Sequence, residues 1–172
     1  HSNPLFISEE RFQAILRQSG APIEGDLLLT SRGTLGVPYI VSGTDRFHFA
    51  DGNLTWFRRF QGLDSRFLKF YLLSPAGRAE LGRCVIGSSQ LAYTIAAIKQ
   101  VSVPLPPLPV QQRIAGILSA YDELIENSQR RIKILEAMAR GLYREWFVHF
   151  RFPGHENHPR VASALGEIPQ GW

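Results

Sequence analysis

At 172 residues, 44% hydrophobic and 20% charged, the chain has room for one moderate core plus an appendage. The net charge of +4 and pI of about 9.6 suit a polyanionic partner and equally well a solvated surface. A single cysteine, Cys84, excludes a disulfide framework. No apolar run approaches the ~18 residues of a membrane helix and no leader is visible, so a reducing, cytoplasmic setting is expected.

Ser8 caps a predicted helix whose apolar face carries Phe12, Ile15 and Leu16, and Gly20-Ala21-Pro22 ends it. Leu27 to Thr30 is a predicted strand, Ser31-Arg32-Gly33-Thr34 a turn, and Val37 to Val41 a second strand. Arg46 to Phe49 and Leu54 to Phe60 alternate as strands do, separated by the turn signal Asp51-Gly52-Asn53. Asp64 or Ser65 caps a helix through Leu72 that breaks near Ser74-Pro75, and more helix follows from Ala76 to Leu81. Gly87-Ser88-Ser89-Gln90 is a loop, and a short strand ending at Ser102-Val103 leads to the proline collar Pro104–Pro109. From Val110 to Phe150 no proline interrupts a helical pattern whose steps of three and four place Tyr121, Ile125, Ile132, Leu135, Ala139, Leu142 and Trp146 on one seam. The residues after Phe150 have linker composition, with His155 and His158 solvated rather than metal-bound. The fold class read from this order is α+β: a small twisted sheet with packed helices, its first strands expected before His1, followed by one long coiled-coil-type helix.

Chemistry-bearing residues concentrate in the turns. Gly33 and Gly36 let backbone approach a ligand closely, while Ser31, Arg32 and Thr34 offer donors suited to phosphate or a guanine edge. An ordinary polar hairpin turn is the alternative for the same residues. Ser88, Ser89 and Gln90 offer two hydroxyls and an amide; Gln90 is suited either to reading adenine or to tying down its own loop. Arg46, Arg58, Arg59, Arg66, Lys69, Arg78, Arg83 and Lys99 are eight bases set against the four acids Asp45, Asp51, Asp64 and Glu80: singly each fits an ordinary solvated charge, and as a group they make an electrostatic footprint for a polyanion. No Walker loop, Cys-x-x-Cys pair or nuclease carboxylate cluster occurs, and no catalytic or metal-ligating residue is assigned.

Three stretches together resemble one family. Pro104-Leu-Pro-Pro-Leu-Pro-Val-Gln-Gln-Arg-Ile-Ala-Gly-Ile-Leu118 with Tyr121-Asp122-Glu123-Leu124-Ile125 resembles the spacer of DNA-specificity (S) subunits of type I restriction–modification systems. Gly25 to Gly36 resembles the strand–turn–strand of that family's target-recognition domain, and Leu165-Gly166-Glu167-Ile168-Pro169-Gln170-Gly171-Trp172 the phrase opening a second such domain. Gly87-Ser88-Ser89-Gln90 is similar to a Gly-Ser/Thr-x-Gln loop of the same domains. The resemblance implies a recognition domain to residue 109, a spacer helix over 110–150, and a linker with the start of a second domain over 151–172. It implies a non-catalytic subunit that binds double-stranded DNA at a bipartite target and directs methyltransferase (M) and restriction (R) subunits there. S-adenosylmethionine, ATP and Mg would then sit on those partners, and the helix would pair with its equivalent in the second half or in a second copy. Two other readings of the same chain are the recognition tail of a single-chain methyltransferase–endonuclease and a coiled-coil adaptor that binds no DNA.

Overall fold

The computed structural model describes residues 6–49, 52–87, 90–164 and 166–172. The chain forms two compact units, His1–Ser119 and Ala120–Trp172.

The first unit is built on the strand β1, Leu27–Thr30, whose Leu27, Leu28 and Leu29 are all buried. A strand buried on both faces must be apolar at consecutive positions, which is why this run does not alternate. Strand β2, Pro38–Ile40, and strand β3, Leu54–Phe57, flank it in a three-stranded antiparallel sheet of order β2-β1-β3. Leu27 and Leu29 face a core completed by Leu68 and Leu72 of helix α2 (Ser65–Leu73), Leu81 of helix α3 (Pro75–Arg83), Cys84, and Ile98 of the short helix α4 (Ile95–Ile98). Each such buried leucine contributes about 2 kcal/mol of burial free energy. Leu28 points to the other face, sharing it with its ladder partners Tyr39 and Trp56.

Helix starts follow the capping chemistry that the sequence announces. Ser8 Oγ accepts from Arg11 N at 3.3 Å at the head of α1, Glu9–Gln18. Asp64 accepts from Arg66 N and Phe67 N at 2.9 and 3.1 Å to begin α2. Ser74 serves two helices at once, ending α2 and capping α3 through Gly77 N, 3.1 Å away. Because one residue separates the two helices, α3 has to start hard against the last turn of α2, and Gly77 is buried at that junction.

Two expected strands do not form. Arg46 to Phe49 makes no strand; Arg46 instead pairs with Glu9 and lies 5.0 Å from the centroid of the Phe12 ring, so this segment is tied to α1. Ser102-Val103 also makes no ladder, because Ser102 O accepts from Tyr71 Oη at 2.7 Å and Ser102 N donates to Glu80 Oε2 at 3.3 Å. Side chains of α2 and α3 have replaced a neighbouring strand. Conversely, Val85–Ile86 (β4) and Ala92–Tyr93 (β5), which carried no expected element, pair antiparallel on either side of the expected loop at 87–90.

Cys84 is 6% exposed, its thiol 3.4 Å from the carbonyls of Glu80 and Ala97. Burial, then the Glu80 charge, raises its pKa above the ordinary thiol value. The native protein is therefore expected to resist thiol-specific reagents at neutral pH while the urea-unfolded chain reacts fully. A chromogenic disulfide assay checks this, and immediate reaction of the folded protein would contradict the packing.

Helix α5 runs from Leu108 to Tyr143, starting two residues earlier than expected with Pro109 accommodated in its first turn. Its 36 residues correspond to about 54 Å of helix. In the second unit the helix passes into a π-helical turn, Arg144–Val148, and Phe150 takes a left-handed φ of 54°. The expected linker beyond it contains structure: strands β6, Arg160–Ser163, and β7, Gly166–Pro169, form a hairpin. Trp172 gathers Phe147, Phe152 and Phe150, with ring centroids 5.0, 5.4 and 5.7 Å away. His155 Nδ1 donates to Phe152 O at 2.9 Å and His158 Nε2 to Gln170 O at 3.0 Å.

Candidate nucleic-acid interface

The turn between β1 and β2 is closed by backbone. Gly36 N donates to Thr30 O at 2.9 Å and Thr30 N to Val37 O at 3.1 Å, while Thr30 Oγ1 accepts from Val37 N at 2.9 Å. Gly36 has a φ of 76°, and a Cβ there would lie 3.0 Å from Tyr93 Oη, so this corner requires glycine on both counts.

Beyond Thr30 the chain is gripped from two sides. Ser31 N donates to Asn53 O at 2.6 Å and Ser31 O accepts from Tyr93 N at 3.0 Å. Arg32 then forms an antiparallel bridge with Ala92, joining the main sheet to β5. These main-chain bonds bring together residues 58 positions apart in sequence (32 and 90). Arg32, Gly33, Asn53, Gln90, Leu91 and Ala92 line an open cleft of about 670 Å³. The side chains of Arg32 and Gln90 are exposed, and Arg32 makes no ion pair among the described residues. A guanidinium and a carboxamide on one concave rim can take phosphate oxygens, or a guanine and an adenine edge.

The expected contact residues do not form one patch. Ser31 is 2% exposed and points inward, its hydroxyl donating to Leu29 O at 3.2 Å and 2.5 Å from Thr55 Oγ1. It is a structural hydroxyl that pins β1 to β3. Thr34 is exposed on the turn, its carbonyl accepting from Thr30 Oγ1, and it does not line the cleft. Ser88 and Ser89 lie outside the described residues; at neighbouring Gly87 a Cβ would meet Gln90 O at 2.3 Å.

Arg58 and Arg59 are exposed at the far end of the sheet. Thr30 stands opposite Leu54 and Leu27 opposite Phe57, so in this register Arg58 lies six residues, about 20 Å, along the ladder from Arg32. The Arg58 guanidinium stacks 4.3 Å from the centroid of the Trp56 ring, and Trp56 Nε1 donates to the buried Asp26 at 2.8 Å. Lys99 is the exposed C-cap of α4. Several other bases of the expected footprint are engaged locally: Arg46 with Glu9, Arg66 with Asp64, Arg83 with Glu80. The arginine side chains of these pairs are half or more exposed, so they remain available to a polyanion.

Asn53 is the cleft residue that the sequence reading passed over. Its signal was the Asp51-Gly52-Asn53 turn, which had to sit beside residue 31 once β1 and β3 paired. Along α5, Tyr121, Ile125, Ile132, Leu135 and Leu142 are 52–62% exposed and Ala139 is exposed, while Trp146, in the π-helical turn beyond it, is half-buried.

Gln111, at the head of α5, is fully buried. Its Nε2 donates to Gly62 O at 3.0 Å and Pro106 O at 2.7 Å, and its Oε1 accepts from Asp64 N at 2.9 Å. Ala115, one turn on, is also fully buried.

Residues 13–137 match the family model described as the type I restriction modification DNA specificity domain. The chain is 31% identical over 153 residues to the type I restriction enzyme MjaIX specificity subunit of Methanocaldococcus jannaschii, covering 87% of this chain and 34% of that protein. It is 30% identical over 158 residues to the putative specificity subunit S.HindORF215P of Haemophilus influenzae, with 84% and 37% covered. With the putative MjaX specificity subunit of M. jannaschii the identity is 28% over 155 residues, covering 87% and 36%. The chain thus spans about a third of the length of the curated relatives it matches.

Proposed function

The chain belongs to the type I restriction modification DNA specificity family, and on that premise we propose that its first unit reads one part of a bipartite DNA target through the cleft beside Arg32 and Gln90. The observation that carries this is the pairing of an exposed guanidinium and an exposed carboxamide on a backbone-braced rim. Phosphate contacts from the surrounding bases supply affinity without sequence, and the two cleft side chains supply the choice. Arg58, Arg59 and Lys99 act as backbone contacts in this reading, and Thr34, Ser88 and Ser89 are further residues proposed to contact the DNA.

Helix α5 serves as the spacer, its exposed seam from Tyr121 to Leu142, continued by the half-buried Trp146 in the π-helical turn, pairing with an equivalent helix in the second half of the full protein or in a second copy. The subunit itself is non-catalytic. It positions methyltransferase and restriction subunits in the cytoplasm, and those partners hold the S-adenosylmethionine, ATP and Mg. Recognition domain, spacer and second-domain start divide at about residues 109 and 150.

The test is duplex binding by the full-length chain in its methyltransferase complex, with Arg32→Ala and Gln90→Ala compared with the parent across a salt series. Each variant is expected to lose roughly 10- to 100-fold for the preferred site, the range of one good base contact. Arg32→Ala should also flatten the salt slope by about one ion if it holds a phosphate. Binding unchanged in both variants overturns the reading.

A further inference from the structure

We infer that Gln111 is a positioning residue that sets the spacing between the two halves of the DNA target, an inference that rests on the spacer role proposed above. Its amide is fully buried and its three hydrogen bonds all go to main-chain groups, from two segments: Gly62 and Asp64 before α2, and Pro106 in the proline collar. An apolar side chain would bury as much surface without fixing a direction. A planar amide with three partners fixes both the rotation and the tilt of the first turn of α5.

The lock reaches into the core. Asp64, whose N–H the Gln111 side chain accepts, also caps α2 through its carboxylate, and Phe67 and Leu68 just beyond the cap are buried. The head of α5 therefore cannot turn without disturbing the start of α2. Ala115 on the same face, fully buried, leaves no slack one turn along. Neighbouring Gln112 and Arg113 are exposed, so the arrangement belongs to position 111 and not to the polar run as a whole.

The consequence for a spacer is large because the helix is long. Over the ~54 Å of α5, a tilt of about 4° at its head displaces the far end by roughly 3.8 Å, close to the ~3.4 Å rise of one base pair. Discrimination between targets differing by one pair in their separation thus requires the head of the helix to be held to a few degrees. Three directed hydrogen bonds to main chain do that.

The experiment is selection from a random-sequence duplex pool by the full-length chain in its methyltransferase complex, followed by sequencing of the bound fraction. The parent is expected to enrich two half-sites at a single separation. Gln111→Met fills the same space without the bonds and is expected to enrich the same half-sites while the preference for that separation over its one-pair neighbours falls roughly five- to tenfold, what one net hydrogen bond carries. Gly62→Ala approaches the lock from its acceptor side: its φ of 67° strains an alanine, yet no atom lies within 4 Å of the new Cβ, and it should relax the separation in the same direction. If Gln111→Met fails to assemble, Gly62→Ala decides. Half-sites enriched at the parental separation alone, with undiminished preference, in the variants that assemble overturn the inference and leave the recognition reading standing. A parent that enriches no paired half-sites removes both.

Discussion

Gly77→Ala is expected to destabilise the first unit by about 3 kcal/mol, lowering its melting temperature by roughly 10 °C. An alanine Cβ at this position would stand 2.0 Å from Tyr71 O and 2.8 Å from Leu72 Cα, both main-chain atoms of α2. Neither can rotate aside. Relief would require α3 to back away, but Ser74 alone joins the two helices, and Leu72 and Leu81 on either side of the joint both belong to the core. The methyl group must therefore open the core rather than a loop. Gly82→Ala, in the same helix with nothing within 4 Å, supplies the control: it should stabilise by about 0.5–1 kcal/mol through lost backbone freedom in the unfolded chain. Thermal melts of the pair with opposite signs support this packing, and two mild effects of one sign contradict it.

Gln111→Ala should cost a similar amount, about 3 kcal/mol, by a different route. It removes three hydrogen bonds at once and leaves Asp64 N, Gly62 O and Pro106 O facing a void. Each unmatched partly buried group costs about 1 kcal/mol, and the void adds to it. Gln112→Ala, one residue along on the exposed side, is expected to stay within about 0.5 kcal/mol of the parent. Urea unfolding with unchanged slope and a lowered midpoint for position 111 alone is the expected result. Equal behaviour of the two glutamines would mean that the amide is solvated.

What could be read from the chain alone follows how local each cause is. Ser8 and the Asp64-Ser65 pair announced their helices because capping acts within three residues, and Leu27 to Thr30 announced a strand because the apolar run is short and ends in turn residues. The long helix was legible from its spacing. Ser31 was not, because its partner Thr55 lies 24 residues away and a serine in a turn looks solvent-facing. Arg46 to Phe49 alternates like a strand but found α1 instead of a ladder. The two-residue strands β4 and β5 are too short to show a period, yet through the bridge of Arg32 to Ala92 they create the cleft. The hairpin after Phe150 hid behind prolines, glycines and histidines. Gln111 read as one polar residue in a polar run, since the groups it binds lie 5, 47 and 49 positions away.

The rim of the cleft is anchored by peptide groups: Ser31 to Asn53, Tyr93 to Ser31, residue 32 alongside residue 92. Peptide groups are the same whatever side chain they carry. Positions 32 and 90 can accordingly be rewritten, one amino acid for another, without renegotiating the sheet beneath them. A scaffold wired in this way diversifies cheaply, and new sequence preferences should arise by exchanging a few letters in an unchanged frame.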